Sequence, residues 1–176
     1  MLSEQVLQKI EKLASEIASR EGCKIYDVEF GGGSGGRTLR IYIDKDPGPV
    51  GIEDCSNVSR GLNQALDEDD PIPGGHYNLE VSSPGLERPL KKTWHFETVI
   101  GQKIRVKCNR KLEAFGAQEK TNKSLKQVIE TLVACEPEGI RMMVNKENVF
   151  IPYSGIERAN LVFNFDAEKG EKKKKN

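Results

Sequence analysis

Long apolar runs are missing from this 176-residue chain. None reaches the ~18–20 residues that a membrane-spanning helix needs, so no helical span is expected. The opening MLSEQVLQKIEKL is amphipathic and mixed in charge, without the basic-then-apolar layout of a secretory signal. Cysteine is sparse. Cys23, Cys55, Cys108 and Cys135 stand far apart, which excludes paired zinc spacings and a disulfide framework and predicts a cytoplasmic protein with free thiols. Histidine is sparser still, with only His76 and His95. Aromatics make up 6% of the chain, and they show no ordered set of the kind that stacks bases on an RNA-recognition sheet.

Charge, by contrast, is plentiful. The formal net charge of zero conceals an asymmetry: residues 1–90 carry 9 Lys and Arg against 16 Asp and Glu, and residues 91–176 carry 18 against 11. Halves of −7 and +7 predict two domains with different partners, a basic protein for the acidic half and RNA phosphates for the basic half.

The hydrophobic pattern agrees with two domains. Val6, Ile10, Leu13 and Ile17 recur at helical spacing behind a Ser3 cap, and Gly22 marks the stop. KIYDVEF (24–30) and TLRIYID (38–44) alternate as strands, with Tyr26, Val28 and Phe30 predicted on one face and Asp27 and Glu29 on the wet one. The glycine-rich GGGSGGR (31–37) joins them as a hairpin. A second helix runs over 52–66 toward Asp67–Asp70, so either it ends near Leu66 or the acids have another job, and Gly61 in its interior predicts close contact with the sheet. A strand over 77–82 completes an α-β-β-α-β domain with two helices on one face of the sheet. Beyond residue 98, strands are predicted at 103–108, 125–135, 139–144, 148–151 and 159–165, the last alternating Leu161, Phe163 and Phe165, with an irregular 109–124 and one helical turn in PYSGIE. Five short strands argue a small β-barrel. The fold class is therefore α+β. The predicted division is a 1–83 domain, an 84–98 linker, a 99–166 barrel and a disordered lysine-rich tail at 167–176.

Chemical motifs fail their own contexts. GGGSGGR leads into a strand with Arg37-Thr38, where a phosphate loop needs Lys-Ser/Thr and a helix. Ser82 and Ser83 lack the Gly-x-Ser-x-Gly elbow and a following helix. Asp67, Glu68, Asp69 and Asp70 lack the spaced oxygens and glycine of a calcium loop; they form a candidate face for a basic protein. No catalytic, metal or cofactor residues are assigned. Lys103, Arg105 and Lys107 project from one strand face and, with Lys91 and Lys92, make the candidate basic patch. The two histidines are read as surface or interdomain residues, and Trp94 and Phe96 as anchors between domains.

One stretch is distinctive: LEVSSPGLERPL (79–90). It resembles the signature of the bacterial ribosome maturation factor RimP family, and YDVEF, LRIYID, LDEDDPIPGGHYNLEVSSPG, WHFETVIGQKIRVK and IPYSGIERANLVFNF agree in order. The resemblance implies a KH-like domain followed by an SH3-like or Sm-like barrel. It also implies a non-enzymatic, cofactor-free role in late assembly of the small (30S) subunit. The implied partners are immature small subunits, their ribosomal RNA and small-subunit ribosomal protein twelve, with no membrane. The chain is expected to act as a monomer. The alternative is a general RNA-binding regulator; no Gly-x-x-Gly clamp lies between two predicted helices, which weakens direct RNA reading. In physical terms Ser82, Ser83, Pro84, Gly85, Leu86, Arg88 and Pro89 read as a semi-rigid interdomain hinge, with Leu86 plugging an apolar seam and Arg88 supplying donors.

Overall fold

A computed structural model describes residues 2–33, 36–118 and 124–163. The chain divides into two compact units, Met1–Pro84 and Gly85–Asn176, and each is α/β or β in the way the α+β class requires.

In the first unit, helix α1 (Glu4–Arg20) opens at Ser3, whose Oγ accepts the Val6 N–H at 3.3 Å. It closes at Glu21, before Gly22 turns left-handed at φ +70°. Strands β1 (Lys24–Gly33) and β2 (Gly36–Asp44) pair antiparallel. Helix α2 (Ile52–Asp69) then crosses to β3 (Asn78–Ser82), which pairs parallel to β2, giving the order β1-β2-β3. One apolar core joins Ile10, Ala14 and Ile17 of α1, Leu39, Ile41 and Ile43 of β2, and Val58, Leu62 and Leu66 of α2.

Two expectations change here. Ile25 pairs with Ile43 and Asp27 with Tyr42, so Tyr26 is the extra residue of a bulge. The bulge flips the alternation. Val28 and Phe30 pack on the core as expected, Ile25 joins them there, and Tyr26 and Asp27, the latter expected on the wet face, are both buried, at 1% and 6% exposed. Gly61 meets the other helix rather than the sheet: a Cβ there would lie 2.9 Å from Ile17 Cγ2. The missing side chain lets α1 and α2 approach.

The start of α2 is fixed by one carboxylate. Asp54 Oδ2 accepts the Gly51 N–H at 2.8 Å, and Oδ1 accepts from Lys45 Nζ at 2.7 Å. The Lys45 ammonium first, and then that N–H, hold the Asp54 carboxyl below the usual carboxylate range.

In the second unit, β4 (Lys103–Cys108), β5 (Gln127–Glu136), β6 (Gly139–Val144), β7 (Glu147–Pro152) and β8 (Ile156–Leu161) form an antiparallel sheet ordered β7-β6-β5-β4-β8. β8 begins three residues earlier than the alternation of 159–165 suggests, and Ala159, not Phe163, supplies its buried position. Phe165 and the lysine tail lie outside the described residues. The polar stretch after β4 contains a 3-10 turn, Leu112–Phe115, that buries Leu112 completely.

The segment expected as a linker is largely built into this unit. The Leu90 N–H donates to Ala159 O at 2.8 Å, the Leu161 N–H donates to Arg88 O at 3.0 Å, and Pro89 bridges Asn160. A short helix, α3 (Thr93–Glu97), follows. Leu90, Phe96 and Val99 belong to the unit's own core, with the Phe96 ring 5.7 Å from that of Tyr153. Phe96 is therefore a core residue rather than an anchor between domains. His95 is fully buried instead of lying at the surface: its Nδ1 accepts the Lys91 and Lys92 N–H groups at 3.0 and 3.3 Å, capping α3.

Two outcomes follow. Gly61→Val forces α1 and α2 apart and should cost about 1–3 kcal/mol in urea unfolding; an unchanged midpoint would show that the helices are not in close contact there. Because Asp54 has a depressed folded-state pKa, its contribution is complete above the unfolded value near 4 and is lost as pH falls through the lower folded value. Asp54→Asn should therefore melt below the parent at neutral pH, with the gap closing as the medium is acidified below the carboxylate range.

Candidate functional site

Three groups of residues were singled out by sequence, and each has a definite setting. The 82–89 stretch divides at Pro84 and Gly85. Ser82 ends β3 opposite Tyr42, and both it and Ser83 are exposed. Gly85 takes φ +81°, a conformation costly for any residue with a Cβ. Arg88 donates from Nε to Gly85 O at 3.3 Å, closing a turn within the second unit. Leu86 is 59% exposed.

The acidic run lies on α2 itself. The helix continues through Asp67, Glu68 and Asp69, and Asp70 caps it at φ +34° with its N–H on Leu66 O at 2.9 Å. Four acids at a helix C-terminus oppose the dipole. Local partners offset part of this: Lys9 Nζ lies 3.3 Å from Asp69 Oδ2, and Gln64 Nε2 donates to Glu68 Oε1 at 3.2 Å. Burial, and after it the charges of Asp67 and Asp70, push the Tyr77 phenol up. The run thus faces the chain between α2 and β3 as well as solvent. Among the described residues no three His, Cys, Asp or Glu side chains are grouped as a metal site.

The basic strip sits on a central strand. β4 is flanked by β5 and β8, so its charges do not guard an edge. Ile104, Val106 and Cys108 are fully buried, Lys103 and Lys107 are exposed, and Arg105 is half-exposed, as the alternation predicts. The strip is partly neutralised. Lys107 Nζ lies 2.6 Å from Glu157 Oε1, whose carboxyl it holds below the usual range, and Arg105 Nη1 lies 3.8 Å from Glu87 Oε2. Such exposed pairs exchange readily with other ligands. The register adds residues that the sequence did not reveal. Arg158 lies opposite Lys107, Asn160 opposite Arg105, and Ile129 (42% exposed) opposite Arg105 on the other side. Lys91 and Lys92 belong to the cap of α3 rather than to this sheet.

Nothing in these surfaces is arranged as a nucleophile. Burial pushes all four free thiols up, Cys108 to about 11, so thiolate is scarce near neutral pH. Among the described residues no histidine is hydrogen-bonded to Ser82 or Ser83, and His95 Nδ1 accepts the Lys91 and Lys92 N–H groups.

Residues 13–87 match the family model described as the RimP N-terminal domain. The match spans the core of the first unit and runs through the Ser-Ser-Pro-Gly turn, the stretch with the most distinctive sequence. Over those residues, less than half of its length, the chain is similar to the RimP N-terminal domain.

Proposed function

We propose that this protein is a non-enzymatic assembly factor for the small (30S) ribosomal subunit, acting in the cytoplasm as a monomer without a cofactor. It binds immature particles, aids folding of their RNA and helps small-subunit ribosomal protein twelve to dock. The family match over residues 13–87 carries this reading. The charge split supports a division of labour. The acidic unit, with Asp67–Asp70, suits a basic ribosomal protein, and the outer face of β4, with Lys103, Arg105 and Lys107, suits RNA phosphates. In this reading the first unit is KH-like, the second SH3-like or Sm-like, and the hinge expected over Ser82–Pro89 narrows to the turn about Pro84-Gly85 where the two units divide. Two weak contacts on one particle then gain avidity without either interface being large.

Sedimentation with immature and mature small subunits across a salt series tests the reading. Preference for immature particles is the expected result. Replacing Lys103 and Arg105 with Gln should lower the salt slope by about two. Equal, weak binding to both particles and to unrelated RNA would favour a general RNA-binding regulator instead.

A further inference from the structure

Parallel pairing of β3 with β2 brings the C-terminal end of β3 beside the first turns of α2. An open groove of about 480 Å³ lies there, lined by Val50, Ile52, Cys55 and Ser59 on one side and by Val81 and Ser82 on the other. Of the hinge, acidic and basic residues singled out above, Ser82 and Ser83 line it. Ile52 is 87% exposed at the first position of α2, an unusual place to leave a large apolar side chain in water. Val50, Cys55 and Val81 are half-buried beneath it. β3 ends the sheet, and among the described residues no strand pairs with its outer edge. The groove therefore offers an apolar floor, serine hydroxyls and the backbone of an edge strand, the combination by which a sheet accepts an added strand from another chain.

Its charge selects the occupant. Gly48-Pro-Val-Gly51 has the Gly-x-x-Gly spacing of loops that clamp nucleic-acid backbone. A phosphate at this helix N-terminus would need free N–H donors and a positive field. Here the Gly51 N–H is taken by Asp54, and Glu53 and Asp54 place two carboxylates in the first turn. No lysine or arginine lines the groove. Residues 1–84 hold 8 Lys and Arg against 15 Asp and Glu, a net charge of −7. The lining itself is uncharged and Asp54 is paired with Lys45, so it is the exposed Glu53 beside Ile52, in a unit of net negative charge, that disfavours phosphate at the rim and favours cations.

We propose that this groove docks an extended, lysine- or arginine-rich segment of a partner protein. The segment lies along the Val81–Ser82 end of β3, its apolar side chains on Ile52, Val50 and Cys55 and its basic ones toward Glu53. This site is separate from Asp67–Asp70 at the opposite end of α2, and it holds whichever particle the protein matures.

The test uses the ¹⁵N-labelled full chain without ribosomes, so its outcome is independent of the sedimentation result. The probe is a blocked octapeptide of alternating Lys and Val, with a Glu-Val octapeptide and a ten-nucleotide oligouridine as comparisons. The Lys-Val peptide should shift the amides of Val50–Ser59 and Val81–Ser83 and slow hydrogen exchange in β3. Ile52→Ser, which removes apolar contact without adding charge, and Ser56→Lys, which adds a like charge, should each weaken binding by about tenfold. An unchanged melting temperature separates loss of the site from loss of the fold. Absent shifts, shifts centred on Asp67–Asp70, or undiminished binding by both variants would overturn the proposal. Shifts in the groove with oligouridine and not with the peptide would replace it with a nucleic-acid clamp.

Discussion

The parallel pairing of β3 with β2 is the constraint on which the first unit rests. Two parallel neighbours cannot be joined by a tight turn, so the chain must cross over the sheet between them. That crossover is α2, and its Val58, Leu62 and Leu66 close the core above Leu39, Ile41 and Ile43, all three of which are wholly buried. Had β3 run antiparallel, a hairpin would have sufficed and the apolar face of β2 would have lacked its cover. The same geometry puts a helix N-terminus and a strand C-terminus at one end of the unit, the usual location of binding crevices in parallel sheets. What binds there is then a matter of charge. Asp54 spends one carboxylate on the Gly51 N–H and on Lys45, which fixes the helix start and takes up one of the donors that an anion would use.

The second unit depends on β4 in a comparable way. It is flanked on both sides, and its inward residues Ile104, Val106 and Cys108 are fully buried. Burying the three together gives several kcal/mol at about 1.5–3 kcal/mol per large apolar side chain. A central strand needs no charged side chains to prevent edge pairing. The outward Lys103, Arg105 and Lys107 therefore answer to something other than self-association, and their partners Glu87 and Glu157 are exposed enough to be displaced.

Much of this was legible in the sequence because it rests on local periodicity. The stripe of α1, the Ser3 cap, the Gly22 stop and the strict alternation of KIRVKC each depend on residues within a turn or two of one another. What was not legible depends on pairing over longer distances. A bulge inserts one residue without disturbing composition, so a period-of-two reading of KIYDVEF puts Tyr26 on the core face, where the fold places Ile25 and Val28. Glu87–Leu90 carries Pro and charge and reads as linker, yet it pairs with β8, some seventy residues away. Gly61 announced a close approach, but only the tertiary packing identifies Ile17 as what approaches. The groove beside α2 draws its lining from two segments separated by more than twenty residues, which only the fold brings together.

The charge asymmetry also means something different once the folds are separated. Read along the chain, −7 and +7 suggest an RNA-averse half and an RNA-seeking half. Within each unit, however, the charges differ in how firmly they are held. Asp54 is locked by a helix start and a lysine, and its charge is part of the fold. Arg105 and Lys107 hold exposed carboxylates that salt or a phosphate can replace. A fixed negative site favours steady recognition of a cationic segment, whereas exchangeable positive sites favour contacts that form and dissolve with the state of the RNA. On the proposed reading, in which an unfinished particle is bound and a finished one released, the exchangeable part of the electrostatics lies on β4 and the fixed part at the start of α2.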